Sequence, residues 1–350
     1  MHFALTDEQA MIAETARGFF GEAATGERTR AAMAADGIDR ALWTAFARDM
    51  GLTGVALPET HGGSGLGMVE AAIVAEAAGA QVAALPFLAS PLLAGSAIAA
   101  GGSEAQQAEW LPAIAGGERI ASYVELTGQA DGGRLSGEGL APHGAAADLL
   151  IVELGGSAFA VEAKGAGVAI EALPTMDATR PLAGVRLTDA AAIALPDGRA
   201  AVQAARARGA VAIAADSLGG AQELLTRTVA YAQERVQFGR PIGSFQAVKH
   251  RLADMMVAIE QARSAVYWAA CAIDENAADA MLAVHSAKAF ACDAYFDCAA
   301  AAIQLHGGIG FTWEHDAHLF FKRAQANRTL LGTPDQHREA VAALVLPKAA

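Results

Sequence analysis

Residues 231–250, YAQERVQFGRPIGSFQAVKH, place an arginine, glutamines and phenylalanines around one tight turn. Arg235 can bind a phosphate through two parallel hydrogen bonds, and Gln237 can add another. Phe238 can stack against a flat ring, and Gly239 lets the backbone come close to a ligand. The segment therefore indicates a site for a flat anionic ligand. An ordinary turn between two helices with a surface arginine is the alternative interpretation.

Residues 303–315, IQLHGGIGFTWEH, form a second candidate segment. A turn at Gly307, Gly308 and Gly310 after a long helix could press backbone amides against a dinucleotide. No strand precedes this turn, so it is not the Rossmann fingerprint. A helix end followed by a loop is the alternative interpretation. For His306, ligand contact and simple packing both remain open.

The hydrophobic pattern divides the chain into three regions. Residues 1–118 predict an N-terminal helical domain, because TDEQ at residues 6–9 is a capping signal before apolar residues at helical spacing. Residues 119–195 contain short apolar or alternating runs separated by Gly and Asp, which predict a small, antiparallel, barrel-like middle β-domain. Residues 196–350 return to long helices and predict a four-helix bundle. We therefore expect an α+β fold whose C-terminal bundle carries both candidate segments.

Composition limits the classes of partner. The formal net charge of −13 argues against nucleic acid, because phosphate backbones require a basic face. No apolar run approaches the roughly 20 residues of a membrane-spanning helix. The N-terminal stretch does not have a basic segment followed by an apolar one, so we expect no secretory signal. Three cysteines without metal-ligand spacing indicate buried thiols in a reducing compartment, and a cytoplasmic protein is expected.

Together, the two candidate segments resemble blocks of the acyl-CoA dehydrogenase family. RVQFGRPIGSFQAVKHRLADM and QLHGGIGFT have the order and separation of that family, and LTDEQ, LPETHGGSGLG and GTPDQHR lie where it has corresponding blocks. The resemblance covers nearly the whole chain. It implies an FAD held between subunits, an acyl-CoA thioester substrate that is dehydrogenated at Cα–Cβ, and a C-terminal bundle that binds FAD and oligomerises.

The resemblance also implies roles for individual residues. The implied FAD-binding residues are Arg235, Gln237, Phe238, Gln246, Gln304, Gly307, Gly308 and Thr333. Arg235, Gln237 and Phe238 would hold the pyrophosphate and adenine half of a flavin that belongs mainly to a neighbouring chain. Gln246 would lie nearby. The two glycines and the glutamine before them would approach the same half from the other subunit of the pair. The threonine would lie near the pyrophosphate.

The catalytic base of the family is missing from its usual positions. Dehydrogenation requires a carboxylate to remove the weakly acidic proton on Cα. Most members carry this glutamate where the present chain has Leu331, and a minority carry it at or near the position of Gly209. Neither residue can accept a proton. Asp216 and Asp335 remain open as substitutes, and no catalytic residue is otherwise assigned.

The middle region also departs from the family. The flavin-contacting loop after Thr127 is shortened to TGQADGG, and Ala141-Pro142-His143 aligns with the segment that usually carries a ring-shielding tryptophan. Tyr123 and Thr127 could still touch a flavin ring. The resemblance implies that the shortened loop and the missing tryptophan would have contacted the flavin ring and substrate of this chain. The residues that would bind the flavin of a neighbouring chain are retained.

This asymmetry resembles the non-catalytic subunit of heteromeric α2β2 acyl-CoA dehydrogenases. The resemblance implies a second, catalytic subunit, electron-transferring flavoprotein as acceptor, and a CoA ester of a steroid side chain as one possible substrate. Two alternatives remain open. The chain could form a homo-oligomeric dehydrogenase or oxidase with an unusual base, or it could be an inactive scaffold that binds CoA esters.

Two smaller signals predict no site. His315 and His318, with Glu314 and Asp316 beside them, lack a third metal ligand at reliable spacing, so we expect solvated loop residues and no metal. The loop HGGSGLG at residues 61–67 is a weak phosphate motif, and we expect it to be a hinge between helices.

Overall fold

The structure, a computed structural model, describes residues 4–346. Two units are distinguished by their internal contacts. The bundle unit contains the described residues up to Gly26, residues 72–83 and the described residues from Ala210 onward. The β unit contains Glu27–Ala71 and Ala84–Gly209. Between residues 4 and 346 no helix is long and apolar enough to cross a membrane.

Helices α1, α3, α6 and α11 begin at residues whose side chains cap them. The α-helices of the described chain are α1 (Asp7–Ala23), α2 (Gly26–Ala34), α3 (Arg40–Arg48), α4 (Met68–Ala80), α5 (Ser96–Gly101), α6 (Glu104–Ala115), α7 (Gly198–Glu234), α8 (Gln246–Asp274), α9 (Ala280–His306), α10 (Ala317–Asn327) and α11 (Pro334–Val345). The predicted capping box at the start of α1 is confirmed: the Thr6 hydroxyl accepts from the Gln9 amide, and the Gln9 side chain accepts from the Thr6 amide. In the segment predicted to be a hinge, a short 3-10 turn, Glu59–His61, precedes α4.

The β unit contains a seven-stranded sheet. Its strands are β1 (Ala121–Asp131), β2 (Arg134–Pro142), β3 (Leu149–Leu154), β4 (Ser157–Glu162), β5 (Val168–Ala172), β6 (Leu182–Ala191) and β7 (Ile193–Ala194), in the order β5-β6-β2-β1-β3-β4-β7. β1 pairs with β3 in parallel, whereas the other neighbours are antiparallel. The sheet is therefore mixed, and the prediction of an antiparallel sheet was wrong at this pair. Alternating runs do not encode the direction of pairing.

One face of the sheet forms the core of the β unit. Val124 and Leu126 on β1 lie in the same buried cluster as Leu150 and Val152 on β3. Because strand residues alternate between faces, Tyr123, Glu125 and Thr127 lie on the opposite face of β1. That face carries the polar residues considered below.

Helix contacts in the bundle unit depend on small residues. α8 packs along α9, which also contacts α10 and α11. At the contact of α4 with α7, a Cβ on Gly219 would lie 1.9 Å from the Glu76 carbonyl oxygen, and a Cβ on Gly79 would lie 2.2 Å from that of Asp216. Only glycine permits this approach of two helix backbones.

Candidate functional site

Arg235 and Phe238 lie in an exposed hairpin that follows α7. Its strands are β8 (Val236–Gln237) and β9 (Arg240–Pro241), joined by a two-residue turn at Phe238 and Gly239. Both turn residues have positive φ, 54° and 77°, as a type I′ turn requires. The Phe238 ring is 92% exposed and meets Phe245 edge-on at 6.1 Å between ring centroids. The predicted break after the helix is confirmed.

The Arg235 guanidinium is available to a ligand. Its main chain is held, since its amide donates to the Tyr231 carbonyl and its carbonyl accepts from the Ile242 amide, each at 2.8 Å. Its side chain is exposed and has no hydrogen bond or ion pair with residues 4–346. The side-chain Nε2 of Gln237 donates to the neighbouring Val236 carbonyl at 2.8 Å. Gln246 is exposed at the first position of α8.

The glycine turn at the end of α9 is open on its outer side. Gly307 has a φ of 65°, in the left-handed region. A Cβ built on Gly307 or Gly308 would meet no atom within 4 Å among the described residues. Gln304, Gly307 and Gly308 are all exposed. The turn therefore presents bare backbone that a ligand can approach closely.

Tyr231 and His306 join the hairpin to the glycine turn. Their rings stack at 4.4 Å between centroids, and the Tyr231 hydroxyl donates to the His306 carbonyl at 3.3 Å. Burial lowers the pKa of His306, whose Nδ1 lies 2.8 Å from the Ala302 carbonyl oxygen. One polypeptide thus brings both candidate segments together. Tyr231 was missed by the sequence analysis, because 75 residues separate it from His306 and no periodic signal links them.

The turn at the predicted base position is closed by internal hydrogen bonds. Leu331 has a φ of 58°, and its carbonyl oxygen lies 3.0 Å from Nε2 of His337. The Lys288 ammonium donates to the carbonyls of Asn327 at 2.8 Å and Gly332 at 3.1 Å, and the lysine is fully buried. Thr333, predicted to lie near a pyrophosphate, caps α11 through its hydroxyl. These backbone oxygens have partners within the chain.

The two aspartates considered as substitute bases have other roles. Asp216 is buried and accepts from Arg323 Nη1 at 2.9 Å and from Asn327 Nδ2 at 2.8 Å. The Asp335 side chain is 92% exposed in the first turn of α11 and pairs with Arg338 at 2.8 Å. The Asp216 carboxylate is therefore occupied by buried partners within the chain. Gly209 is buried within α7 and has no side chain to contribute.

In the β unit, the predicted flavin-contacting residues differ in exposure. Tyr123 is buried and donates to Glu153, which also receives Arg206 Nε at 2.8 Å and Nη2 at 2.9 Å. Burial and this hydrogen bond raise the pKa of Tyr123, so the tyrosine remains protonated and serves the cluster. Thr127 is exposed and lines a groove of about 580 Å³ on the same face. His143, where the family has its shielding segment, is buried with a φ of 54°.

The histidine-rich loop after the glycine turn is organised by other contacts. His315 Nδ1 accepts from the Ala317 amide at 3.1 Å, and Asp316 accepts from Arg227 at 3.0 Å. The His318 ring lies 4.6 Å from the Trp313 ring. Among residues 4–346, no three His, Cys, Asp or Glu side chains are grouped as a metal site.

Comparisons with known proteins agree with this architecture. The sequence matches "Acyl-CoA dehydrogenase, N-terminal domain" over residues 6–118 and "Acyl-CoA dehydrogenase, C-terminal domain" over residues 196–346. It is 36% identical over 331 residues to acyl-CoA dehydrogenase IpdE2 of Mycobacterium tuberculosis, covering 94% of each chain. The chain belongs to the acyl-CoA dehydrogenase family. The resemblance inferred from the sequence is thereby confirmed.

Solved structures of acyl-CoA dehydrogenases share the fold. The ChsE4-ChsE5 complex from Mycobacterium tuberculosis has a chain that matches with a TM-score of 0.90 and 29% identity, over 99% of this chain and 100% of that one. A variant of the Tcur3481-Tcur3483 steroid acyl-CoA dehydrogenase matches with a TM-score of 0.88 and 31% identity, over 97% and 98%. The predicted fold of an N-terminal helical part, a middle sheet and a C-terminal bundle is confirmed.

Acyl-CoA dehydrogenases depend on FAD, and the residues present here fit its nucleotide end. The unpaired guanidinium of Arg235 suits a pyrophosphate, and the exposed ring of Phe238 suits an adenine. The turn at Gly307 and Gly308 has the space that a ligand backbone contact needs. The assignment of individual FAD contacts stays a prediction.

Proposed function

We propose that this chain is the subunit of a heteromeric α2β2 acyl-CoA dehydrogenase that contributes the nucleotide-binding half of an FAD site. A partner subunit supplies the catalytic glutamate. The observation that carries the proposal is the presence, in one hairpin, of a guanidinium on Arg235 without a hydrogen bond or ion pair among residues 4–346 and of a 92% exposed ring on Phe238. A hairpin that leaves both groups uncovered is suited to a ligand or a second chain.

The absence of a base at the usual positions supports the division of labour. Removal of the Cα proton requires a positioned carboxylate in a dry site. The side chain of Leu331 has no lone pair, and its turn is fixed by His337 and Lys288. Asp216 is engaged by Arg323 and Asn327. The glutamate is therefore proposed to come from the other chain.

Each retained residue has a definite task toward the cofactor. When bound, FAD accepts the hydride that leaves Cβ of the thioester. Arg235 would neutralise charge on the pyrophosphate through a bidentate contact. Phe238 would cover the adenine, and Gln246 would supply a hydrogen bond from the start of α8. Gly307 and Gly308 would let the main chain touch the nucleotide without a steric clash.

The nature of the substrate is part of the proposal. One solved relative is a steroid acyl-CoA dehydrogenase, and another is a complex of two kinds of chain, ChsE4 and ChsE5. We propose that the present chain serves lipid or steroid catabolism and that its assembly acts on a ring-bearing CoA thioester. Electron-transferring flavoprotein is the proposed acceptor. The three free thiols of the present chain support a cytoplasmic, reducing setting.

The deciding experiment compares the chain alone with the chain co-expressed with a longer family member that retains its glutamate. We expect the isolated chain to bind little FAD and the complex to contain about one flavin per pair of chains. Absorbance at the flavin band and the protein concentration together measure this ratio. One flavin per isolated subunit, together with oxidation of an acyl-CoA, would overturn the proposal and favour a homo-oligomeric enzyme.

A second measurement separates the substrate from the architecture. The complex should oxidise a CoA ester of a steroid side chain faster than a plain fatty acyl-CoA. Equal or lower kcat/KM with the steroid ester would contradict the substrate proposal and leave the shared-site proposal standing. A complex with FAD but without turnover of either ester would instead favour the scaffold interpretation.

A further inference from the structure

A cavity of about 790 Å³ lies within the bundle unit, away from the exposed hairpin residues described above. Residues of α1, α4, α7 and α8 line it, and Leu5 closes one side. Its apolar lining includes Leu5, Ala13, Ile73 and Ala77. The volume is within the range of roughly 300–1,000 Å³ that small-molecule sites occupy. Its polar groups determine what kind of molecule it can hold.

The carboxylates of the lining already have donors. Glu76 accepts from Arg263 Nη1 at 2.8 Å and from the Tyr267 hydroxyl at 2.7 Å. Burial and the charge of Glu76 raise the pKa of Tyr267, which therefore stays a donor to that carboxylate. Glu223 accepts from Arg227 Nε at 2.6 Å. Neither acid has to be satisfied by a ligand.

The two glutamines of the lining have their oxygens engaged as well. The Gln222 oxygen accepts from Arg263 Nη2 at 2.9 Å, and the Gln81 oxygen accepts from Arg227 Nη2 at 3.2 Å. A guanidinium can only donate, so each contact requires the amide oxygen on that side. The NH2 groups of Gln222 and Gln81 are left as spare donors.

Arg17 adds a charged donor. Its Nε donates to the Ala13 carbonyl at 3.1 Å, and among residues 4–346 it makes no ion pair. Arg17 lines the cavity and is exposed, so its charge lies toward solvent. Within the described part of the chain, the lining thus has spare donors and one cation without an ion pair beside an apolar surface. These groups select a ligand that accepts hydrogen bonds, carries one negative charge and has an apolar body.

We propose that this cavity binds a small amphipathic carboxylate. Its carboxylate would pair with Arg17 and accept from Gln222 or Gln81, and its apolar body would lie against Leu5 and Ile73. One cavity cation without an ion pair among residues 4–346 suits a monoanion better than a nucleotide, which requires several phosphate contacts. The proposal does not depend on the heteromeric assembly, and it concerns a site separate from the Arg235 hairpin.

Titration calorimetry on the folded chain, alone or in its complex, tests the proposal with decanoate and decanol as probes. We expect decanoate to bind and Arg17→Gln to weaken it at least tenfold, with partial recovery in Arg17→Lys. Decanol, which lacks the charge, should bind at least tenfold more weakly to the native chain. Arg199→Gln, a change of another exposed arginine in α7, should leave decanoate binding unchanged.

A second variant tests the volume independently of the charge. Ala80 lines the cavity and is partly exposed, so Ala80→Phe should fill space there without disturbing a core. Decanoate binding should then be lost while the melting temperature is retained. The proposal is overturned if decanol binds as tightly as decanoate, if Arg17→Gln binds like the native chain, or if Ala80→Phe leaves the affinity intact.

Discussion

The two turns that follow α9 and precede α11 belong to the same unit but treat their backbone groups differently. At Gly307 and Gly308 no described atom approaches the space where a side chain would lie. At Leu331 and Gly332 the carbonyl oxygens are taken by His337 and Lys288. The first turn leaves its backbone uncovered by the described residues, whereas the carbonyl oxygens of the second have partners within the chain. The second turn contains the position that the sequence analysis predicts for the base of most family members, and under the proposed function this position serves structure.

Asp216, in α7, is connected through Asn327 and Lys288 to the turn at Leu331 and Gly332, and these residues together are called the closed region. It pairs with Arg323, which is 1% exposed, and with Asn327, whose carbonyl also receives Lys288. A charge removed from such a group leaves its partner buried without compensation. The comparison of an open and a closed turn therefore leads to opposite expectations: changes in the closed region should affect stability, and changes at the open one should affect ligand binding.

The largest effect is expected from Asp216→Ala. Because Arg323 would be left charged and buried, the free energy of unfolding should fall by about 3–5 kcal/mol. Urea denaturation followed by circular dichroism measures this change, and Asp216→Asn provides a milder variant of the same size. Asp335→Ala is the matched control, because its exposed pair with Arg338 should contribute less than about 1 kcal/mol. Equal losses in the two variants would show that Asp216 is not a structural charge.

Arg235→Met sharpens the other side of the comparison. Loss of a charged, bidentate phosphate contact should cost about 2–3 kcal/mol, so FAD affinity of the complex should fall by roughly 30- to 150-fold. The melting temperature of the chain without flavin should not change, because the guanidinium makes no hydrogen bond or ion pair with residues 4–346. Fluorescence titration with FAD checks the affinity. Arg199→Met is the control, and an FAD affinity that is unchanged in Arg235→Met would contradict the proposed role of the hairpin in binding FAD.

Part of this architecture could be predicted from sequence because the relevant signals are local. The capping box at Thr6 and the break at Phe238-Gly239 need only neighbouring residues, and both are confirmed. The parallel pairing of β1 with β3 was missed, since alternation specifies faces but not strand direction. The cluster of Arg206 with Glu153 joins residues 53 positions apart, and nothing local in either segment indicates it.

The candidate site shows the same limit. Residue types and spacing indicated Arg235, Phe238 and the glycine turn, because an anion site needs recognisable chemistry. The Tyr231–His306 stack and the buried Lys288 became visible only in three dimensions. Lys288 in particular lies in an alanine-rich helix, where a lone lysine predicts a solvated side chain. Only the position of the α10–α11 turn explains why it is buried.

The contribution of the closed turn at Leu331 and Gly332 to the free energy of unfolding should depend on pH. Burial, the Lys288 ammonium and the neighbouring His285 lower the pKa of His337 from 6.5 to about 4. Between pH 6.5 and pH 4, the unfolded chain binds a proton at His337 that the folded chain does not bind. The contribution of His337 to the free energy of unfolding is therefore complete above pH 6.5 and declines as the pH falls toward 4. The contribution should fall by at most about 1.4 kcal/mol per pH unit in this window. Burial also lowers the pKa of His285, and its Nδ1 lies 2.8 Å from Nδ1 of His337.

Urea denaturation at pH 7.5 and pH 5.5 measures this dependence. His337→Gln keeps a donor for the Leu331 carbonyl but does not titrate, so its stability should vary less between the two pH values. Other groups also titrate, and the difference between the variant and the native chain isolates the contribution of His337. The same pH slope in both chains would show that the closed turn does not exclude a proton.

The smallest effect is expected from Tyr231→Phe, which tests whether the open turn is held from behind. The variant keeps the ring that stacks on His306 but loses the hydroxyl that donates to the His306 carbonyl at 3.3 Å. A net hydrogen bond of this kind contributes about 0.5–1.5 kcal/mol, so FAD affinity should fall by roughly two- to tenfold. Tyr231→Leu removes the stack as well and should weaken binding further. If Tyr231→Phe lowered thermal stability but left FAD affinity unchanged, the contact would serve the helix ends and not the glycine turn, and the open turn would hold its shape without it.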